Sequence, residues 1–192
     1  MLEVACGPGL SLDHLSRHAG DVHLAGIDMS RDMLRLAAAN VASARKPELA
    51  QASARQLPFR DASFDVVFAT RFIHLFRKKA SIVEELKRVT RPGGLVVVEF
   101  YGRPYHLLRY LSRVVTRRAR VPIGEYLYHY PSVREVRRVM GTGIRFIPLR
   151  FGGERWLRRR LSEPRMRTLL ARAWHPPLRF GLAEYFAVIR RP

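Results

Sequence analysis

Glu3, Gly7, Gly9 and Asp28 are the residues whose types and spacing point most directly to chemistry. They lie in Glu3-Val4-Ala5-Cys6-Gly7-Pro8-Gly9, an apolar run entering a glycine turn, and in Ile27-Asp28, where Asp28 follows Gly9 by nineteen residues. A strand that ends in a bare turn lets backbone N–H groups and a helix N-terminus come close to a ligand. An acidic residue at the tip of the next strand can then accept both hydroxyls of a ribose. The chemistry implied is the holding of a nucleotide-type cofactor. Gly7-Pro8-Gly9 alone is a weaker signal, because a dinucleotide fingerprint would place a third glycine where Leu12 stands. Cys6, inside the turn, reads as a small buried side chain rather than a nucleophile.

The elements that must position these residues follow from periodicity. Through the first hundred residues, short apolar runs alternate with helical periods, the pattern of a mostly parallel α/β sheet. Leu2–Ala5 reads as the end of a strand, with a helix over about residues 11 to 18. His23–Ile27 is a second strand, and Met33, Leu36, Ala37, Val41 and Ala44 share one face of a second helix. Leu49–Ala52 and Phe64–Ala69 are further strands, the latter apolar enough for burial on both faces. Ser81–Val89 is an amphipathic helix stopped by Pro92-Gly93-Gly94, and Leu95–Phe100 is a fifth strand. Beyond it come an arginine-bearing apolar stretch over Tyr105–Arg120 and a capping box, Ser132-Val133-Arg134-Glu135, opening a helix to Met140. Ile144–Arg150 reads as a strand, Pro164–Trp174 as a helix and Glu184–Arg190 as a final strand. A central first strand usually has about five or six residues, so the chain reads as N-terminally incomplete.

Further motifs follow in order. Ser53-Ala54-Arg55-Gln56-Leu57-Pro58-Phe59 precedes Asp61-Ala62-Ser63-Phe64-Asp65-Val66-Val67, and Arg88-Val89-Thr90-Arg91-Pro92-Gly93-Gly94 comes later. With the glycine turn and Asp28, this set resembles the class I S-adenosylmethionine-dependent methyltransferases, in particular the group containing the quinone-biosynthesis C-methyltransferases. The resemblance covers residues 2–100 and continues faintly through Tyr126–Glu135. It implies an α/β, Rossmann-like, doubly wound sheet with helices on both faces and a helical lid. One domain over 1–192 is expected: a cofactor-binding core at 1–100, a lid with late sheet elements at 101–182, and a last strand at 183–192.

Carried over residue by residue, the resemblance implies S-adenosyl-L-methionine as cofactor. Glu3 would lie near its amino group, and Gly7 and Gly9 would let the backbone approach its methionine and ribose portions. Asp28 would take the ribose hydroxyls and Met29 would pack on the adenine. Ser53 and Ala54 would line the adenine edge, and Thr70 would border the methionine end. This chain has Ala5 where the family more often has glycine, and Ser53 where many members have aspartate. A neutral acceptor is weaker than a charged one, so somewhat looser cofactor binding is expected. Methyl transfer from a sulfonium requires alignment and exclusion of water more than any one catalytic group. His74, Glu99 and Tyr101, near the ends of the fourth and fifth strands, are the candidates for a base or an orienting group. No metal site is expected. His14 and His18 share a helix face, but two histidines without a clear third ligand read as a solvated face.

Charge divides the chain unevenly. Residues 1–100 carry 14 basic and 11 acidic side chains, whereas residues 101–192 carry 21 and 5, placing most of the +19 net charge in the second half. Arginines beside apolar and aromatic residues there suit a small lipophilic acceptor reached at an anionic membrane surface. Nucleic acid is a competing partner, through an RNA methyltransferase or a basic RNA-binding protein. So are a solvated arginine face, a coding bias toward arginine, and a truncated, non-catalytic, cofactor-binding remnant. The single cysteine excludes an intrachain disulfide, and no apolar run is long enough to span a bilayer. A cytoplasmic protein, peripheral to the membrane at most, is expected.

Overall fold

In a computed structural model, residues 1–42, 46–101, 131–151 and 182–192 are described. Their elements are β1 (Leu2–Val4), α1 (Leu10–His18), β2 (Ala25–Asp28), α2 (Arg31–Asn40), β3 (Glu48–Gln51) and β4 (Phe64–Ala69). A 3-10 turn at Ile73–Leu75 leads to α3 (Ala80–Val89), β5 (Thr90–Tyr101), α4 (Val133–Met140), β6 (Arg145–Phe151) and β7 (Leu182–Arg190). The strands hydrogen-bond in the order β3-β2-β1-β4-β5-β7-β6. Pairing is parallel from β3 through β5, while β6 and β7 are antiparallel, so the sheet is mixed but mostly parallel.

The chain divides into two compact units, the first comprising Met1–Ile73, Lys78–Val98 and Ile189–Pro192. Its strand order fixes where a ligand can sit. From β1 the chain winds outward through β2 to β3, then returns to lay β4 on the other side of β1. Right-handed crossovers therefore put α1 and α2 on one face of the sheet and α3 on the other. The carboxyl ends of β1 and β4 flank the point where the winding reverses, the place at which open α/β sheets gather ligands. Register is tight there, with Glu3 beside Gly26 on one side and Phe68 on the other.

Apolar burial holds the unit together. Leu2, Val4, Ile27, Val67, Ala69, Val96 and Val98 form the buried sheet, and Ile82, Val83, Leu86 and Val89 form the inner face of α3. Fully burying such a side chain contributes about 1.5–3 kcal/mol. The inner face of α2 differs from the periodicity reading. Ala37 and Val41 are buried and Leu34 partly so, but Met33 and Leu36 are exposed. The buried face therefore runs 34-37-41, and Ala44 lies outside the described residues. β5 also begins earlier than expected, at Thr90 directly after α3. Its glycines pair in the strand rather than ending it. Gly93 N–H donates to the Arg191 carbonyl, and Arg191 N–H donates to that of Gly94.

The second unit comprises His74–Arg77 and Glu99–Val188. In it, α4 starts at the capping box read from the sequence: Ser132 Oγ accepts from Glu135 N–H and the Glu135 carboxylate accepts from Ser132 N–H. Val136 and Met140 are buried, and Tyr185 stacks on Phe100 with ring centroids 6.1 Å apart. The expected elements at Tyr105–Arg120 and Pro164–Trp174 lie outside the described residues.

Candidate functional site

The glycine turn is built by backbone geometry. β1 ends at Val4, and Ala5 turns the chain with φ +60°, a conformation that disfavours any residue with a Cβ. Cys6 N–H then donates to the Ile27 carbonyl at 2.9 Å, and Gly9 N–H to the Cys6 carbonyl at 3.0 Å. Gly9 caps α1 with φ +79°, and a Cβ there would lie 2.9 Å from that of Ala37. It is glycine because α2 packs directly on the turn. Gly7 also has positive φ, but a Cβ placed on it would meet nothing within 4 Å. The open side of the turn is therefore at Gly7.

Asp28, at the carboxyl end of β2, locks this turn to the next loop. Its Oδ2 accepts from Gly7 N–H and its Oδ1 from Ser30 N–H, both at 2.9 Å. Each oxygen keeps acceptor capacity, because a carboxylate offers about four lone-pair sites. Met29 follows with its side chain 75% exposed, its carbonyl held by Gln51 Nε2.

Glu3 is the unusual group. It is only 1% exposed, in the middle of β1, and its Oε1 accepts from the Thr70 hydroxyl at a long 3.4 Å. Its Oε2 is buried and has no hydrogen-bond donor. Burial pushes its pKa up to about 7, against the opposing effects of the Ser11 and Thr70 hydroxyls and the Arg71 charge. An oxygen in that condition suits a cationic donor carried in by a ligand. Burial, with the charges of Glu3 and Asp28, pushes the Cys6 thiol up to about 12, so it stays protonated and unreactive at neutral pH.

Ser53 and Ala54 sit in a turn after β3. Gln56 N–H donates to the Ser53 carbonyl at 3.1 Å, and Ser53 Oγ accepts from Arg55 N–H at 3.3 Å. Glu3, Gly7, Gly9, Asp28, Met29, Ser53, Ala54 and Thr70 all belong to the first unit, Glu3 within β1 and the others at or beyond the carboxyl ends of β1, β2, β3 and β4. His74, Glu99 and Tyr101 belong to the second. There the His74 and Tyr101 rings meet edge to face at 4.8 Å, and Glu99 shares a face of β5 with Tyr101 by strand alternation.

Sequence reasoning missed three supporting groups. Asn40 donates to the Pro8 carbonyl at 2.9 Å, Gln51 bridges Met29 and Arg31, and Glu85 with Arg88 holds the loop after Ala54. Glu85 and Arg88 are visible as an i, i+3 pair, but the loop they hold is not. His18 Nδ1 is engaged by the His14 carbonyl at 2.8 Å. Among the described residues no group of three metal-binding side chains converges, and no helix is long and apolar enough to cross a membrane.

A parallel sheet whose switch point carries a glycine turn, a buried carboxylate and an Asp at the next strand tip defines a Rossmann-like protein of the nucleoside-cofactor class. Comparison with known proteins agrees. Residues 2–98 match the profile of a methyltransferase-domain family, to which the chain belongs. It is 36% identical over 121 residues to a phosphatidylethanolamine N-methyltransferase of Cereibacter sphaeroides, covering 61% of this chain and 58% of that one. It is 35% identical over 97 residues to a demethylmenaquinone methyltransferase of Staphylococcus aureus, covering 50% and 40%. The chain thus spans roughly half the length of the curated relatives it matches. Among solved structures, phosphoethanolamine N-methyltransferase 2 of Haemonchus contortus, in complex with S-adenosyl-L-methionine, superposes with a TM-score of 0.65 at 17% identity, covering 100% of this chain and 48% of that one. A possible histamine N-methyltransferase of Thermotoga maritima gives 0.65 at 16% identity, covering 100% and 81%. The fold is that of the class I S-adenosylmethionine-dependent methyltransferases, as the motifs implied.

Proposed function

We propose that this chain binds S-adenosyl-L-methionine at the carboxyl ends of β1 and β2, beside the β1/β4 switch point, and transfers its methyl group to a small lipophilic acceptor. The observation that carries the reading is the buried Glu3 Oε2, which has no donor of its own while Gly7 leaves open space beside the same turn. A ligand with an ammonium group and a ribose fits both features and the remaining acceptor capacity of Asp28. When bound, the cofactor supplies a methyl carbon already activated for displacement by its sulfonium.

The chain's own residues bind and orient. Glu3 takes the ammonium, with Thr70 fixing the other carboxylate oxygen. Asp28 takes the ribose hydroxyls while holding Gly7, and Met29 offers an exposed apolar surface to the adenine. Ser53 and Ala54 line its edge. His74 and Tyr101 orient the acceptor, and His74 or Glu99 takes a proton where the acceptor must lose one. The lipophilic acceptor is supported by two relatives named for a phospholipid and for a menaquinone precursor. The arginine-rich second half supports access from an anionic membrane surface.

The test is methyl transfer from labelled S-adenosylmethionine to vesicles containing phosphatidylethanolamine or demethylmenaquinone, with RNA as the comparison acceptor. Label in the lipid fraction supports the reading. Label in RNA alone overturns the acceptor class.

A further inference from the structure

Arg88, near the end of α3, uses every donor it has. Its Nε donates to Glu85 Oε1, Nη1 to the Phe59 carbonyl and Asp61 Oδ1, and Nη2 to the Leu57 carbonyl and Glu85 Oε2, all at 2.8–3.0 Å. Five bonds saturate a guanidinium. Glu85 Oε2 also accepts from Leu57 N–H at 2.9 Å, so the Glu85–Arg88 pair holds both backbone groups of Leu57. The Leu57 side chain is buried as well. The Arg88 carbonyl in turn accepts from Ala62 N–H and from Arg191, which also reaches the Thr90 carbonyl.

These bonds fix one end of a short strap. Its other end is fixed at β2, where Ala52 N–H donates to the Asp28 carbonyl at 3.1 Å. Between the two anchors lies the turn Ser53–Gln56, closed by its own hydrogen bond and carrying Ser53 and Ala54. Ser53 is neutral and its hydroxyl is already accepting from Arg55 N–H. A neutral hydroxyl that already accepts one bond is a weaker partner for a base than a carboxylate, so the position at which the turn is held matters more to recognition at this edge.

We infer that Glu85 and Arg88 are positioning residues that set the adenine side of the cofactor site by clamping Leu57, and so govern discrimination for the base. This rests on the cofactor assignment above. An Arg88→Lys side chain has three donors in place of five and cannot span Leu57, Phe59, Asp61 and Glu85 together. Glu85→Gln keeps the shape but replaces an acceptor by a donor facing Leu57 N–H or Arg88.

The test compares S-adenosylhomocysteine with S-ribosylhomocysteine, which carries a hydroxyl in place of the adenine, by calorimetric titration of wild type, Arg88→Lys and Glu85→Gln. The expected result is S-adenosylhomocysteine affinity about tenfold weaker in either variant, with S-ribosylhomocysteine changed less than about twofold. A melting point that drops while the ratio of the two affinities stays at the wild-type value overturns the inference and makes the clamp merely structural. Where Arg88→Lys does not fold, Glu85→Gln decides by the same ratio. Wild type that binds neither ligand overturns the cofactor assignment instead, a distinct outcome.

Discussion

Ala5 and Glu3 are single residues at which the structure goes beyond the sequence. Ala5 stands where the resemblance leads one to expect glycine, and its φ of +60° supplies a physical reason for glycine there. Holding a residue with a Cβ there costs about 1–2 kcal/mol, of which glycine's greater unfolded-state freedom would offset about 0.4–1 kcal/mol. Ala5→Gly is expected to raise the melting temperature by about 1–3 °C, read by calorimetry. For Glu3, the folded pKa of about 7 stands above the ordinary value of 4.5. Between those two values the folded state holds a proton that the unfolded state has lost. Its contribution to stability is therefore complete below the ordinary glutamate value, and is lost as the pH rises through about 7. A ligand ammonium needs Glu3 ionised, so affinity for S-adenosylhomocysteine should fall on acidification below about 7, approaching tenfold per pH unit. Glu3→Gln should abolish that slope. A wild-type affinity flat across this range would contradict the role of Glu3. The carboxylate was legible as a type and a position; its burial and its partnerless oxygen were not, because both depend on strands distant in sequence.

At the scale of elements, the fourth strand and the boundaries of α1, α3 and α4 were legible to within a residue or two, because their apolar periods are strong, whereas α2, read through Ala44, ends at Asn40. The inner face of α2 was not, since Met33, Leu34, Leu36 and Ala37 allow two neighbouring stripes and only packing against α1 selects between them. β5 was read as starting at Leu95, because Pro92-Gly93-Gly94 signals a stop. The structure uses those glycines within the strand, paired to Arg191 from the far end of the chain. The same contrast gives two predictions. Gly9→Ala must both hold a positive φ and press its Cβ against Ala37, costing about 2–4 kcal/mol and separating α1 from α2, as denaturant unfolding would show. In the second unit, Ser132→Ala removes one bond of the capping box and should cost about 1 kcal/mol with no change in cofactor affinity. A loss of affinity equal to that of a binding-site variant would contradict the placement of the cofactor residues in the first unit alone.

The molecule as a whole divides its tasks. The nearly neutral first hundred residues carry the proposed cofactor residues together with His74 and Glu99, and the strongly basic remainder opens with Tyr101. The fold class and the order of the cofactor motifs were legible because four short motifs follow one another at characteristic spacing. The Glu85–Arg88 clamp was not, because its bonds end on backbone carbonyls that leave no trace in side-chain type. That the carboxyl ends of β1 and β2, beside the β1/β4 switch point, form a cofactor site is tested most directly by calorimetric titration with S-adenosylhomocysteine, with NAD in parallel, on wild type and Asp28→Ala. Asp28→Ala loses two hydrogen bonds to backbone N–H as well as the ribose acceptors, so stability should fall along with affinity. The expected result is binding of S-adenosylhomocysteine but not NAD, with affinity at least about tenfold weaker in the variant at a temperature where it remains folded. Folded wild type that does not bind S-adenosylhomocysteine, or a folded Asp28→Ala that binds it equally well, would contradict it.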